Sequence, residues 1–225
     1  MNFDIREWKG LSSASISDAM KGSQTMKADI KPLRRTDQVV GPAYTVQIID
    51  KDCTAVFRAL RDACPGDVLV IAAQGMMDIA FLGEIIATIA KNRGLAGIVI
   101  DGCIRDSRAI AEMDFPVFSK GAISYSPAVN YLSRVQQPVN CSGVMVYPGD
   151  FIYGDADGVV VVSPSKKDEI LNQAKIKEQN DLWKLNEVIP DSKLLEAFLT
   201  KACGDDRVQD LVTMKGDLND ETYLA

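Results

Sequence analysis

An α/β fold, with a mixed sheet and helices on its outside, follows from three features of the chain. Two continuously apolar runs, Val68–Ala72 and Gly97–Ile100, have the length and composition of buried strands. Apolar residues at helical spacing lie between them, which makes a strand–helix–strand unit. After Gly121 the pattern changes to short β-rich runs separated by turns.

The elements follow in order. Ser12, Ser13, Ser15 and Ser17 offer N-caps for a short helix in residues 12–20. Residues 43–49 predict a strand and 56–64 a helix. Pro65-Gly66-Asp67 is a turn that opens the Val68–Ala72 strand, and a loop with Gln74-Gly75 follows. A helix is expected over about residues 81–93. Its Leu82, Ile85, Ile86 and Ile89 stand at i, i+3, i+4 and i+7, the spacing of a buried face. Gly94 is a C′ stop. Gly97–Ile100 predicts a strand, residues 105–113 a helix and 115–118 a strand. Residues 144–147, 151–154 and 158–162 read as successive strands, with a Pro148-Gly149-Asp150 turn after the first. Ser163-Pro164-Ser165 starts a long polar helix ending near residue 185. The last forty residues read as helix plus a mobile tail. With no repeat, low-complexity segment or clear linker, residues 1–225 are expected to form one domain, its C-terminal helix and tail beginning near 165.

Composition narrows the function classes. The 225 residues, 47% hydrophobic and 25% charged, are those of an ordinary globular protein. A net charge of −6 argues against nucleic acid and acidic membranes as partners, because phosphate contact needs a basic face. No apolar run approaches the roughly 18 residues that span a bilayer, and the first residues carry no signal-peptide core. Cys53, Cys64, Cys103, Cys141 and Cys203 are odd in number, widely spaced and without a CxxC pair, as in a reduced cytoplasmic protein. The chain has no histidine, which removes the commonest general base and transition-metal ligand.

The chemistry concentrates in Gly83-Glu84-Ile85-Ile86 and in Asp101-Gly102-Cys103-Ile104-Arg105-Asp106. About ten helical residues at 1.5 Å each run down roughly 15 Å. About five strand residues at 3.3 Å each return roughly 16 Å. The second segment therefore comes back to the sheet edge where the first begins its helix, the edge at which open α/β sheets bind ligands. Amides around Gly83, Ile85 and Ile86 at the helix N-terminus can hold a carboxylate. Arg105 offers a planar fork to a carboxylate or a developing enolate oxygen. Asp106 and Glu84 offer hard oxygen ligands to Mg²⁺ or Mn²⁺, directly or through water. Each piece alone has an ordinary structural explanation: a strand-end turn, an ion pair at a helix start, or an acid at a helix's positive end. Their joint placement favours a site.

With other segments, these residues resemble the RraA-like family, which includes the divalent-metal-dependent 4-hydroxy-4-methyl-2-oxoglutarate and 4-carboxy-4-hydroxy-2-oxoadipate aldolases. The resemblance runs from about Ser13 to Ser165. It is carried by Ser17-Asp18-Ala19, Gly41-Pro42-Ala43-Tyr44-Thr45-Val46, Gly66-Asp67-Val68, Gly83-Glu84, Gly97-Ile98-Val99-Ile100-Asp101-Gly102, Arg105-Asp106, Pro148-Gly149-Asp150 and Asp155-Ala156-Asp157-Gly158. The family pattern of an acid, twenty residues, then Arg-Asp is met by Glu84, residues 85–104 and Arg105-Asp106, with Glu where some aldolases have Asp. The resemblance implies a β/β/α swivelling-type sandwich. It implies that Asp106 ligates a Mg²⁺ or Mn²⁺ ion, Glu84 holds the ion through water, and Arg105 binds substrate and stabilises the enolate. It also implies a trimer or hexamer with sites between subunits, completed by a glutamate from a neighbour's C-terminal helix. Glu178 is the first candidate, with Glu187 behind it.

The other chemically suggestive residues read as structural. Asp155, Asp157 and Gly158 form a turn rather than a calcium loop, since no downstream acid sits at EF-hand spacing. Lys120 reads as a solvated lysine rather than a Schiff-base former. Cys103 reads as a small buried residue, and Trp8 and Trp183 as packing residues. The function expected is a metal-dependent lyase that cleaves a 4-hydroxy-2-oxo acid to pyruvate through its enolate, with oxaloacetate decarboxylation as a side activity. The alternative is a protein that inhibits a ribonuclease by contact. The intact Glu84, Arg105 and Asp106 set disfavours that alternative. Nothing resembles a Rossmann nucleotide loop, so methyl transfer has no support.

Overall fold

The computed structural model describes residues 5–8, 10–126 and 131–204. The helices are α1 (Ser13–Ala19), α2 (Thr54–Asp62), α3 (Glu84–Asn92), α4 (Ser107–Glu112), α5 (Lys167–Trp183) and α6 (Ser192–Ala202). The strands are β1 (Lys31–Pro32), β2 (Val39–Gln47), β3 (Val68–Ala72), β4 (Gly97–Ile100), β5 (Cys103–Ile104), β6 (Val117–Ser119), β7 (Gly121–Ala122), β8 (Arg134–Val135), β9 (Val139–Cys141), β10 (Val144–Val146), β11 (Phe151–Gly154) and β12 (Val159–Val162).

A mixed eight-stranded sheet runs β1-β6-β4-β3-β2-β11-β12, with β8 also pairing β2. Its centre is parallel: β2 with β3, β3 with β4, and β4 with β6. Its flank is antiparallel, β2 with β11 and β11 with β12. The long β2 serves two partners on one edge, β11 beside Val39–Pro42 and β8 beside Val46 and Gln47.

Side-chain alternation sorts the core into layers. Leu69 and Ile71 of β3 face α2 and α3, packing with Val56, Leu60, Ile86 and Ala87. Val68 and Val70 face the other way, against Val139, Cys141, Val144 and Val146 of the β9–β10 hairpin. On the antiparallel flank Phe151, Tyr153, Val160 and Val162 pack with Trp8, Ile16, Ile170 and Leu171 under α1 and α5. A hairpin, a central sheet and a helical layer make the β/β/α sandwich. A strand two residues apart on one face needs both faces covered to bury an all-apolar run, which is why β3 and β4 are buried throughout.

Two expectations need correction. Helix α3 starts at Glu84 rather than near 81, because Phe81 and Leu82 are extended: Phe81 N–H donates to the Cys103 carbonyl at 3.1 Å and Arg105 N–H to the Leu82 carbonyl at 2.9 Å. The buried face is accordingly Ile86, Ala87 and Ala90, while Ile85 in the first turn is 71% exposed. Gly94 ends the helix at φ +75°, as its place predicts. The long C-terminal helix ends at Trp183 and passes through a π-helical turn, Lys184–Val188, before α6. Trp8 is fully buried against Phe151, but Trp183 is half-exposed rather than core. The expected tail beyond residue 204 lies outside the described residues. No helix among the described residues is long and apolar enough to cross a membrane.

Candidate active site

Strands β3 and β4 end side by side, with Ile71 paired to Ile100. The chain leaves β3 through residues 73–83 to start α3, and leaves β4 through β5 to start α4. Both helices therefore begin at the carboxyl edge of the parallel strands, where Glu84 and Arg105-Asp106 meet.

Asp106 organises the site. It is the N-cap residue of α4, yet its side chain makes no capping bond to its own helix. It adopts the left-handed conformation, φ 55° and ψ 33°, which an aspartate enters at a cost of about 1–2 kcal/mol. That conformation turns the carboxylate across to α3, where Oδ2 accepts the Glu84 N–H at 3.1 Å. Arg105 Nε lies 3.7 Å from the same oxygen, and both side chains keep over two-fifths of their surface in solvent. Helix α3 has glycine at its N-cap, so no side chain occupies its first-turn amides from that position. The amides of Ile85 and Ile86 are the orphan donors that any helix start leaves. Gly83 leaves room for both side chains: a Cβ there would stand 2.4 Å from Asp106 Oδ2 and 2.9 Å from Arg105 Cγ and would displace them.

Two clefts meet at Asp106. One, of about 480 Å³, is lined by Glu84, Asp106, Ser107, Arg108 and Glu112 and is polar. The other, of about 220 Å³, has Arg105, Asp106 and Gly83 at one end and Phe57, Ile85 and Ile86 along its wall. The sequence reading missed Phe57 and treated Ile85 as core. Ile85 and Ile86 stand in the same first turn of α3, but the helix phase turns Ile86 to the core and leaves Ile85 outside it.

No group of three or more Cys, Asp or Glu side chains among the described residues could hold a metal ion on its own. Mg²⁺ keeps several waters and is often bound through only one or two carboxylates. Asp106 and Glu84 on one polar cleft, with Oδ1 of Asp106 outside every hydrogen bond among the described residues, fit that pattern.

Glu178 lies elsewhere in the chain. Its Oε1 accepts from Ser12 N at 2.7 Å, Ser12 Oγ at 2.7 Å and Ser15 Oγ at 2.9 Å, anchoring α5 to the start of α1. Asp155 does the same for the β11–β12 turn, accepting from Ser13 N at 2.7 Å and Ser13 Oγ at 2.6 Å. Glu187, in the π-helical turn, is exposed.

The neighbouring suggestive residues are structural. Asp101 is buried, its Oδ1 taking the Ala73 N–H and its Oδ2 the Ser142 N–H at 3.1 Å. It ties the sheet edge to the β9–β10 hairpin. Burial raises its pKa, against the opposing effect of those amide bonds. Lys120 is not solvated: its side chain is 12% exposed and paired with Asp29 at 3.0 Å. Burial, reinforced by the charge of Asp78, pushes the Cys103 thiol up, which leaves it a poor nucleophile. None of the five cysteines is in a disulfide.

The chain is similar to known proteins in sequence and fold. Residues 13–161 match the RraA-like family, described as Aldolase/RraA. The chain is 38% identical over 197 residues to a Halalkalibacterium halodurans protein named "Putative 4-hydroxy-4-methyl-2-oxoglutarate aldolase", covering 88% of this chain and 94% of that one. Among solved structures, an uncharacterised Pseudomonas syringae pv. tomato protein superposes with a TM-score of 0.74 at 27% identity, covering 85% of this chain and 94% of its own. Streptomyces coelicolor RraAS2, described as an unusual member of the RNase ES inhibitor RraA family, superposes with a TM-score of 0.71 at 30% identity, over 80% and 95% of the two chains. The extent of the family match and the shared fold make this chain a member of the RraA-like family.

Proposed function

We propose that the protein is a carbon–carbon lyase that cleaves a 4-hydroxy-2-oxo acid to pyruvate and a second carbonyl compound, with Mg²⁺ or Mn²⁺ as cofactor. The observation that carries this reading is the turned Asp106. Its carboxylate is turned away from its own helix by a strained backbone conformation and set between a guanidinium and the first turn of α3. The aldolase name of the Halalkalibacterium halodurans relative supports it.

In this reading the pyruvyl carboxylate sits on the first-turn amides of α3, at Gly83, Ile85 and Ile86. Arg105 places its fork on the C2 oxygen, where negative charge grows as the reaction proceeds. Asp106 would hold the ion, with Glu84 supporting it through water, and the ion when bound would supply Lewis-acid polarisation of the carbonyl. Cleavage breaks the C3–C4 bond. The C4 hydroxyl loses its proton and becomes a carbonyl, and the electron pair passes to the pyruvyl unit as an enolate. A proton then returns to C3 to give pyruvate, so the reaction is redox-neutral. The same enolate would follow loss of CO₂ from oxaloacetate.

The open clefts at Asp106 suit a site shared between subunits of a trimer or hexamer. Of the two C-terminal glutamates considered for the neighbour's contribution, Glu187 is free to reach outward. Glu178 would first have to give up its three bonds to Ser12 and Ser15.

The test is incubation with 4-hydroxy-4-methyl-2-oxoglutarate and, separately, oxaloacetate, each with Mg²⁺ and with excess EDTA, following pyruvate through a coupled dehydrogenase. Metal-dependent pyruvate from either substrate supports the enolate site. Its absence from both overturns the reading. The description of Streptomyces coelicolor RraAS2 favours a second reading, a ribonuclease inhibitor acting by contact. Recovery of a ribonuclease in a pull-down, with no lyase turnover, would establish that one instead.

A further inference from the structure

A cleft of about 480 Å³, separate from the two at Asp106, opens between the end of α1 and the start of α5. It arises at the sheet edge, where β12 is the outermost strand of the antiparallel flank. Residues 24–26 cover the first part of that edge. Met26 N–H donates to the Val159 carbonyl and Val161 N–H to the Gln24 carbonyl, both at 2.9 Å. Ser23 turns back to α1 instead, its N–H donating to the Met20 carbonyl at 3.1 Å. The end of β12 therefore loses its cover, and the space left is walled by α1 on one side and α5 on the other. Val162 and Ile170, both buried, and the half-buried Met20 form an apolar floor. Lys21 and Lys166, both exposed, form a cationic rim, and neither has an ion-pair partner among the described residues. The nearby acids are engaged elsewhere: Asp18 with Lys177 at 3.3 Å, Asp168 with Lys167 at 3.7 Å, and Glu169 with Gln173 Nε2 at 3.5 Å.

We propose that this cleft is a second binding site, for a small organic monocarboxylate with an apolar body. Lys21 and Lys166 hold the carboxylate, and the body lies on Met20, Val162 and Ile170. Ligand sites pair an apolar lining with a few polar groups that fix orientation, and volumes of about 300–1,000 Å³ are usual for them. An apolar cavity of about 150 Å³ accepts a benzene ring, so the cleft has room for a ring, a short chain and a head group. Charge narrows the class. Lys21 and Lys166 against Glu169 leave the lining with a net positive charge, which favours a monoanion over a dianion or a cation. The site is independent of the lyase reading. It shares no residue with the clefts at Asp106, and β12 lies three strands from β3, about 14 Å across the sheet. Its walls are the two helices that Glu178 ties together through Ser12 and Ser15, so an occupant bridges them a second time and stabilises that clasp.

The probe is 4-phenylbutanoate, titrated calorimetrically into the whole 225-residue chain at low salt, where lysine contacts are least screened. Acetate supplies the head group alone, and 4-phenylbutan-1-ol the body alone. 4-Phenylbutanoate should bind at least about tenfold more tightly than either and should raise Tm in a saturable way. Lys21→Glu and Lys166→Glu should each weaken it by about fivefold or more, since each reversal removes an attraction and adds a repulsion. Both side chains are exposed, so both variants should keep the wild-type circular dichroism spectrum. Arg105→Ala separates this cleft from the enolate site and should leave the affinity unchanged. Equal affinity for acetate and 4-phenylbutanoate, or an affinity that neither lysine variant alters, overturns the proposal. Loss of binding in Arg105→Ala with the lysine variants unaffected also overturns it, by putting the ligand at the enolate site. So does the absence of any binding, whether or not the protein releases pyruvate from a hydroxy acid.

Discussion

Replacing Gly83 with alanine separates the geometry of the site from the stability of the fold. The backbone at Gly83 is extended, φ −141° and ψ −165°, a conformation alanine adopts freely. The added Cβ would lie 2.4 Å from Asp106 Oδ2, where ordinary contact begins at 3.4 Å, so the carboxylate must retreat by about 1 Å. It then gives up the Glu84 N–H bond and its station beside Arg105. Losing one part-exposed hydrogen bond costs about 0.5–1.5 kcal/mol. The stiffer unfolded chain returns about 0.4–1 kcal/mol. Net stability should thus move by less than about 1 kcal/mol, seen as a nearly unchanged urea midpoint. Catalysis should suffer far more, because a misplacement of about 1 Å costs on the order of 100-fold, or about 2.7 kcal/mol of transition-state stabilisation. The assay is coupled pyruvate release across a Mg²⁺ titration, with urea unfolding of the same samples. A kcat/KM within about threefold of wild type at the same Mg²⁺ requirement would refute the role given to Asp106.

Asp106→Ala should abolish metal-dependent turnover while leaving the circular dichroism spectrum unchanged. Arg105→Lys should lower kcat/KM by about 100-fold, since an ammonium cannot reproduce the planar fork; activity close to wild type would remove Arg105 from the mechanism. Glu178→Gln should lower unfolding stability by about 1–3 kcal/mol through its bonds to Ser12 and Ser15; a fall in kcat at unchanged stability would place it in a neighbour's site instead. Asp101 gives a pH test. Its folded pKa is raised by burial, so the native state binds more protons than the unfolded state between the ordinary and the raised value. Its contribution to stability is then largest at acid pH and falls as pH rises through that window. The stability gap between wild type and Asp101→Asn should widen on acidification, measured by urea midpoints from neutral pH downward, and a narrowing gap would contradict the burial argument.

The parts of the fold that were legible in the sequence are those with a local cause. Val68–Ala72 and Gly97–Ile100 are unbroken apolar runs because both faces of the central sheet are covered, and their ends lay where expected. The convergence of Glu84 with Arg105-Asp106 followed from chain lengths alone. The start of α3 was misplaced because Phe81 and Leu82 fit a helical repeat equally well, and only pairing with the segment around Cys103 holds them extended. Strand β9 was invisible: Val139, Asn140 and Cys141 are three residues with one pointing out, too short for any period. The destination of Glu178 was beyond reach, because its partners lie more than 160 positions away. The orientation of Asp106 was likewise hidden. Aspartate before a helix predicts a cap for that helix, and the left-handed turn that sends it to α3 leaves no trace in composition.

The clasp of α1 by Asp155 and Glu178 has a consequence for the order of folding. Trp8 and Ile16 are made well before the surfaces that bury them, on β11, β12 and α5, which come more than 130 residues later. Until residues near 178 are made, the beginning of the protein has apolar side chains and no place to put them. Closing so long a loop is slow, and such segments are prone to aggregate while they wait. A chain cut after β12 would keep every element of the Arg105 cleft and still lose α5, leaving Trp8, Ile16 and Tyr153 without that cover. The C-terminal helix therefore acts as the closing step of assembly, and chaperone demand should fall sharply once it has been translated.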